Sequence, residues 1–449
     1  MVKNTVKTGA TPKTRADLLI SGGLVLTMNQ EEEVFDKGAV AISGSQIVAV
    51  GEETVVRGQT DASGVLDASR CLVMPGLINL HTHAAMTCFR GLADDLPLQE
   101  WLIEHIFPAE KLYLSEETVY WTTLLAVAEM IKSGTTTFCN GYFYEDGAAR
   151  AAISGGIRAV LAQGVIDFPA PGIDDPRTNL KAAEAFVLRW QGKSSLIFPG
   201  IFCHSPYTCA PETLIGAKEI CREHGVQFQI HLAETQAELE ETQRRYGRRP
   251  AAHLEALGVL EDQTLCHHAV WVNESEIEVL VNRAVGVSHN PASNMKLASG
   301  VAPLSKMLDV GVKLGLGTDG CASNNNLDMF KEMDTAAKLH KVHLGDPTLV
   351  SAVEVAAMAT HGGAAALGMT EALGSLEPGK EADIIIIDLN QPHLTPLYDT
   401  CSHLVYAARG ADVRDVVIGG KVVMRERQLL EIDEQEILAK VREIADAIR

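Results

Sequence analysis

The chain has no paired-cysteine motif, no long apolar run and no surplus of positive charge, and each lack excludes a class of protein. Its nine cysteines are an odd number with no CxxC pair. Cys71, Cys88, Cys139, Cys203, Cys209, Cys221, Cys266, Cys321 and Cys401 are scattered through apolar segments. That pattern predicts reduced thiols in a cytoplasmic protein, against a disulfide scaffold or a thiolate zinc site. No stretch approaches the roughly 18 apolar residues that span a bilayer. Long aliphatic stretches such as Ile384–Ile387 have the length of a buried strand. Basic residues are scarce: 38 Lys and Arg face 58 Asp and Glu, a formal net charge of −20 over 449 residues. An acidic surface repels phosphates, which argues against nucleic acid and anionic membranes as partners. There is no low-complexity tract, short repeat or P-loop spacing, and no GxGxxG turn follows the first strand. The opening MVKNTVKTGATPKTR lacks the apolar core of a secretory signal. Residues 1–15 are expected to form a disordered extension, with a transit peptide as the alternative.

What is present is a soluble-protein composition, 46% apolar and 21% charged, in a chain long enough for one large core and a satellite domain. Through its middle, short apolar runs alternate with helical segments. The runs are Gly76–Leu80, Thr135–Cys139, Ala159–Val165, Ile197–Cys203, Gln227–Ile230, Thr264–Cys266, Val285–Val287 and Val312–Leu316. Between them, segments such as Glu116–Lys132 and Pro211–Glu223 repeat apolar residues at three-to-four spacing. Eight such units predict an α/β fold, a (β/α)8 TIM-type barrel over 75–371. A doubly wound open sheet is the rival, weakened by the missing glycine fingerprint. The ends read as short glycine-broken strands, LLISGGLVLTM and GAVAISGSQIVAVG before the barrel and ADIIIIDL and VRDVVIGGKVVM after it. Residues 16–74 and 372–430 are expected to pair into a small β-sandwich domain, and 431–449 to form a C-terminal helix.

Barrel active sites lie at the C-terminal ends of strands. Seven of the 15 histidines follow the predicted runs: His81 and His83, His204, His231, His267 and His268, and His289. Asp319 follows the last run, and Glu234 lies three residues past His231. In a strand, residues i and i+2 point the same way, so His81 and His83 can converge on one ion. With His231 and Asp319 they offer three imidazoles and a carboxylate, a donor set suited to Zn2+ or Fe2+ with a position open to water. A lone HxH pair is more often an ordinary surface or core pair; the company of His231 and Asp319 changes that balance.

PGLINLHTH, QIHLAET, SHNPASNMKLASG and GTDGCASNNNLDM resemble the amidohydrolase superfamily. Within it, HTHAAMTCFRGLADDLPLQEWL is similar to the 5′-methylthioadenosine/S-adenosylhomocysteine deaminases, and the similarity runs over nearly the whole chain. The resemblance implies one metal held by His81, His83, His231 and Asp319, because His204 stands where two-metal relatives carry a bridging lysine. It implies hydrolytic deamination of an adenosine thioether, or of adenosine, to the inosine derivative and ammonia. The metal would lower the pKa of a water and hold it at C6. Glu234 would serve N1 as general acid/base, and Asp319 would accept the water proton. HHAVW aligns His268 with the histidine that holds the water and leaves His267 as a packed residue. Glu110 is implied as acceptor for the ribose hydroxyls and His204 as a purine contact. Trp101 and Leu92 are candidates for the apolar face. His289 and Asn290 are expected to support the metal site.

Two arginines of the family bind the amino-acid tail of S-adenosylhomocysteine. One corresponds to Arg177, with an exposed surface charge as the alternative reading; the other position holds Gln163. That replacement predicts preference for methylthioadenosine or adenosine. Guanine, cytosine and triazine chemistry are the alternatives for the same site, and a metal-binding scaffold without turnover is the rival of another class. A small-molecule nucleoside is the expected partner, in a homo-oligomer.

Overall fold

The structure, a computed structural model, describes residues 13–448. Most of the expected N-terminal extension, residues 1–12, lies outside the described residues. Its end is not an extension: the first strand, Thr14–Leu26, already begins at Thr14. Thr14 and Arg15 belong to the sheet because they pair in parallel with Thr60 and Asp61.

The two ends of the chain build one hydrogen-bonded nine-stranded mixed sheet. Its seam is Cys71–Pro75, which runs parallel to Thr14–Leu26 and antiparallel to Ile384–Asp388, with Ile386 opposite Val73. Ile20, Val40, Val73, Ile384 and Ile386 are buried in one cluster over this seam. Apolar burial across it is what joins residues more than 300 positions apart. The last helix runs Glu434–Ile448 and buries Ile437 and Val441.

The middle of the chain forms eight parallel strands in sequential order. They are Leu77–Thr82, Thr135–Tyr142, Arg158–Val165, Ile197–Cys203, Gln227–Leu232, Thr264–His268, Gly286–His289 and Lys313–Leu316, called barrel strands one to eight below. Their near-continuous burial is what strands covered on both faces require. Helices between them carry ordinary stop and start signals. Ser115 caps Glu116–Lys132 by accepting the Thr118 N–H, and Asn273 and Glu276 form a capping box on Glu274–Asn282. Strands eight and one meet through side chains and loop amides. Asn79 donates to Thr318 Oγ1 at 2.8 Å and accepts the Thr318 N–H at 3.0 Å, and the Asp319 N–H donates to the His81 carbonyl at 2.8 Å. That closure brings the first and last candidate ligands together. No helix among the described residues is long and apolar enough to cross a membrane.

Candidate active site

Strand one delivers His81 and His83 side by side, their ring centroids 4.8 Å apart. Both Nε2 atoms converge on one carboxylate oxygen: Asp319 Oδ1 lies 3.3 Å from His81 and 3.4 Å from His83. The ligand atoms of His81, His83 and Asp319 lie within 4.8 Å of one another, and so do those of His81, His231 and His268. Glycines make room for this approach. A Cβ on Gly317 would stand 2.8 Å from the His81 Cβ and 2.5 Å from Ser288 Oγ; one on Gly320 would stand 2.8 Å from Met86 Sδ.

The histidines are prepared as lone-pair donors. His83 Nδ1–H donates to the Gly141 carbonyl at 2.6 Å, leaving Nε2 facing Asp319. His81 is wholly buried and makes no hydrogen bond through either ring nitrogen. Burial pushes its pKa down to about 3, and that of His83 downward as well, so both rings are neutral. A buried imidazole with two unmet nitrogens is costly unless a further group meets them. Three neutral imidazoles and a carboxylate match the donor set of a catalytic zinc site.

The two turns that complete the cluster are conformationally unusual. His268 has φ +72° and Asp319 φ +62°, a left-handed region that residues other than glycine occupy rarely and often at functional sites. Ser293 Oγ donates to Asp319 Oδ2 at 2.7 Å, and the Gly320 N–H donates to Oδ1 at 2.7 Å. His268 Nδ1 lies 2.8 Å from Asn294 Oδ1, which assigns the proton to Nδ1 and turns Nε2 to the site. From there His268 Nε2 is 3.8 Å from Glu234 Oε2 and 4.0 Å from Asp319 Oδ2.

Glu234 follows Ala233, itself at φ +49°. The Glu238 carboxylate accepts the N–H groups of both residues, at 2.7 and 2.8 Å. Burial raises the Glu234 carboxyl above its usual range, toward the protonated form that a general acid needs.

These groups floor a cleft of about 850 Å³ including its open mouth. Leu98, Trp101, Leu102 and Phe107 cover one side from a helical stretch that includes a π-turn at Trp101–Ile106. Glu110 from the next turn is 3% exposed, and Tyr142 Oη donates to its Oε1 at 2.5 Å. Burial pushes Glu110 up to about 7 against the pull of the Tyr142 hydrogen bond. His204 lines the cleft with Nδ1 2.9 Å from Thr208 Oγ1, and burial pushes it down to about 4.

The structure therefore brings together His81, His83, His231, Asp319, Glu234, His268, Glu110 and His204. It does not bring two others. Arg177 is 89% exposed at its side chain and pairs with Asp175 at 2.8 Å, which the short i to i+2 spacing allows and the cleft does not require. Gln163 is buried in strand three, where its Oε1 accepts the Glu145 N–H at 3.4 Å, and it is not in the cleft lining. Trp101 lines the cleft; Leu92 packs on the core instead. His267 stacks on His81, centroids 3.8 Å apart, so it is the packed member of the pair. His289 turns from the site to His340, with Nε2 atoms 3.0 Å apart, while the Asn290 side-chain oxygen accepts from His268 Nδ1 at 3.3 Å. Residue-type reasoning missed Ser293, Asn294, Tyr142 and Glu238. The only signal for the first two was their place in SHNPASNMKLASG.

The amidohydrolase family model matches residues 72–423. A 5-methylthioadenosine/S-adenosylhomocysteine deaminase of Syntrophobacter fumaroxidans is 51% identical over 97% of this chain and 99% of its own length. A 5′-deoxyadenosine deaminase of Methanosarcina acetivorans is 47% identical over 96% of this chain and 98% of its own length. The crystal structure of an adenosine deaminase from Xanthomonas campestris with bound zinc superposes with a TM-score of 0.95 at 37% identity, covering 98% of this chain and all of that one.

Proposed function

The chain belongs to the amidohydrolase family, and we propose that it hydrolytically deaminates adenosine derivatives with an uncharged 5′ substituent, giving the inosine derivative and ammonia. The observation that carries this reading is the convergence of the His81 and His83 Nε2 atoms on Asp319 Oδ1, on the floor of a cleft that also holds Glu234 and Glu110. The relatives support the adenosine-derivative class: one is named for methylthioadenosine and S-adenosylhomocysteine, the other for 5′-deoxyadenosine.

His81, His83, His231 and Asp319 are assigned to one divalent metal, zinc by the donor set and by the zinc in the similar deaminase structure. A divalent metal held by these four residues would lower the pKa of a water and so supply the nucleophile. His268 Nε2, its tautomer fixed by Asn294, would orient the attacking water. Asp319 would accept one of that water's protons as the C–O bond forms. Glu234, whose carboxyl burial shifts upward, donates to N1 as the ring loses aromaticity. The C6 hydroxyl then returns a proton to Glu234, the amino group takes the proton from Asp319, and ammonia leaves. N1 keeps its hydrogen, so water plus the adenine ring balances hypoxanthine plus ammonia. Glu110 accepts the ribose hydroxyls, and His204, neutral through burial, contacts the purine.

The tail preference rests on charge. The acidic residues in the cleft lining are Glu110, Glu234, Glu238 and Asp319; among the described residues no Lys or Arg lines it. An amino-acid carboxylate would lack the charge-assisted guanidinium contact it needs, which favours 5′-methylthio and 5′-deoxy substituents over S-adenosylhomocysteine.

The test is a panel of methylthioadenosine, 5′-deoxyadenosine, adenosine, S-adenosylhomocysteine, adenine, guanine and a chlorotriazine. Turnover is followed by the ultraviolet change from adenine to hypoxanthine and by ammonia release, with metal content assayed in parallel. Turnover of the nucleosides, abolished by chelation, supports the reading. Silence on all of them, or a preference for S-adenosylhomocysteine, refutes the activity or the tail assignment respectively.

A further inference from the structure

The segment NNNLDMFKEM runs from the turn after strand eight into the helix Met329–Leu344, and the chemistry above uses none of it. One of its side chains nevertheless ties together the turns that hold two site residues. Glu332 is fully buried. Its Oε1 accepts from Asn324 Nδ2 at 2.6 Å, and its Oε2 accepts the Ala292 N–H at 3.2 Å. Asn324 Nδ2 donates as well to the carbonyl of Thr318, at 2.7 Å, immediately before Asp319. Ala292 lies in the short helix Pro291–Lys296, whose next two residues are Ser293 and Asn294. Those residues bond Asp319 Oδ2 and face His268 Nδ1, at 2.7 and 2.8 Å.

One carboxyl group therefore bridges the turns after strands seven and eight. Both supported residues, His268 and Asp319, hold left-handed backbone angles. Such conformations cost roughly 1–3 kcal/mol each and persist where the surroundings over-determine them. A brace that fixes both turns is what such a site requires, because a ligand carboxylate misplaced by ~1 Å loses its geometry.

We propose that Glu332 is a positioning residue: through Asn324 and Ala292 it sets the turns from which Ser293 and Asn294 aim Asp319 at the metal and His268 at the water. It rests on the reading of Asp319 as a ligand. Glu332 touches neither substrate nor metal. Its effect passes through side chains that do.

The experiment uses the full chain, stripped of metal and titrated with zinc against a competing chelator, with kcat and KM for 5′-deoxyadenosine measured on the zinc-loaded forms. Glu332→Gln puts an amide donor against Asn324 Nδ2 or the Ala292 N–H, which are donors themselves. Asn324→Ala breaks the same bridge from the other side and serves if the first variant folds poorly. Loss of an outer support of this kind costs roughly 10- to 100-fold in metal affinity or activity. The expected result is a drop of that size in zinc affinity and kcat, with KM changed less than about threefold. The control for plain destabilisation is Lys218→Met, which removes a buried bond to Thr264 Oγ1 at the start of strand six, away from the cleft. It is expected to lower the melting temperature and leave zinc affinity and kcat alone. A folded Glu332→Gln or Asn324→Ala protein with zinc affinity and kcat within about threefold of the unaltered chain overturns the proposal. So does an equal loss in Lys218→Met. His81→Ala separates the premise from the inference: if it still binds zinc at native affinity, the ligand assignment itself is wrong.

Discussion

Removing the charge of Glu110 gives the sharpest test of how the cleft reads the sugar. Glu110 is 3% exposed, and its carboxyl accepts from Tyr142 Oη at 2.5 Å. The remaining acceptor capacity of its carboxylate faces the cleft and can take two ribose hydroxyls. Hydrogen bonds to a charged acceptor are worth about 1.5–3 kcal/mol each, but the bare carboxylate must also shed water on binding. A net loss of about 2–4 kcal/mol in transition-state binding is therefore expected for Glu110→Gln, roughly 30- to 900-fold in kcat/KM. The loss should fall on ribosides and spare free adenine, which has no hydroxyls to offer. The pH dependence follows from the same carboxyl, whose pKa burial pushes up to about 7. Below that value it is protonated and holds a donor where an acceptor is needed. The ratio of kcat/KM for 5′-deoxyadenosine to that for adenine should thus rise between pH 6 and 8 in the unaltered protein and stay flat in Glu110→Gln. The assay is initial-rate spectrophotometry on both substrates across that range. An equal loss on adenine and the riboside, or a ratio that ignores pH, refutes the assignment and makes Glu110 a packing acid.

Glu234→Gln should retain zinc and bind substrate with KM little changed while kcat falls roughly 100- to 10,000-fold, the usual range for a lost general acid/base; steady-state kinetics on zinc-loaded protein decide it, and a loss under about tenfold removes Glu234 from the proton path. Glu238 has its carboxyl pushed up to about 8 by burial. Its protonated form is favoured in the fold, so its contribution to stability is full below the unfolded pKa near 4.5 and is lost as pH rises through about 8. Urea unfolding at pH 5, 6.5 and 8 should show a shallower fall for Glu238→Gln than for the unaltered chain; identical slopes would mean Glu238 is ionised throughout. Gly317→Ala forces a Cβ to within 2.8 Å of the His81 Cβ and 2.5 Å of Ser288 Oγ. Overpacking of this kind costs about 1–3 kcal/mol, and the melting temperature and zinc affinity should fall together; a lowered melting temperature with native zinc affinity would show that His81 had not moved.

The barrel was legible because its strands are short, apolar and separated by helices with three-to-four periodicity. Ile197–Cys203 was read to the residue. Strands three and eight also end where expected, at Val165 and Leu316, whereas strands one, two, five, six and seven run on past their expected ends. Strand one runs on to Thr82 and strand six to His268, because the histidines, polar by type, are buried inside the barrel mouth and continue the ladder. The first strand of the terminal sheet begins in what composition marks as a basic, Thr-rich tail, since backbone pairing with Thr60 and Asp61 needs no apolar side chain.

The candidate metal cluster was legible for a different reason from the parts that were not. His81 and His83 announce themselves by strand periodicity, and their partners by residue type at strand ends. Supports have no such signature. Ser293, Asn294, Glu238 and Glu332 are common polar residues, and only the fold shows that each faces a particular backbone amide or imidazole nitrogen. Arg177 shows the converse. A cation in a polar loop fits a carboxylate-binding role by type alone, yet Asp175 two residues away takes up its guanidinium at the surface. An arginine that must leave an exposed ion pair gains little from a second carboxylate, because exposed pairs are worth about 0–1 kcal/mol either way. The tail preference can therefore be reversed only by a cation placed in the cleft wall itself. Gln163→Arg sits on the strand beside that wall, so a gain in kcat/KM for S-adenosylhomocysteine relative to methylthioadenosine is its expected effect. An unchanged ratio would show that the strand-three side chain cannot reach the tail.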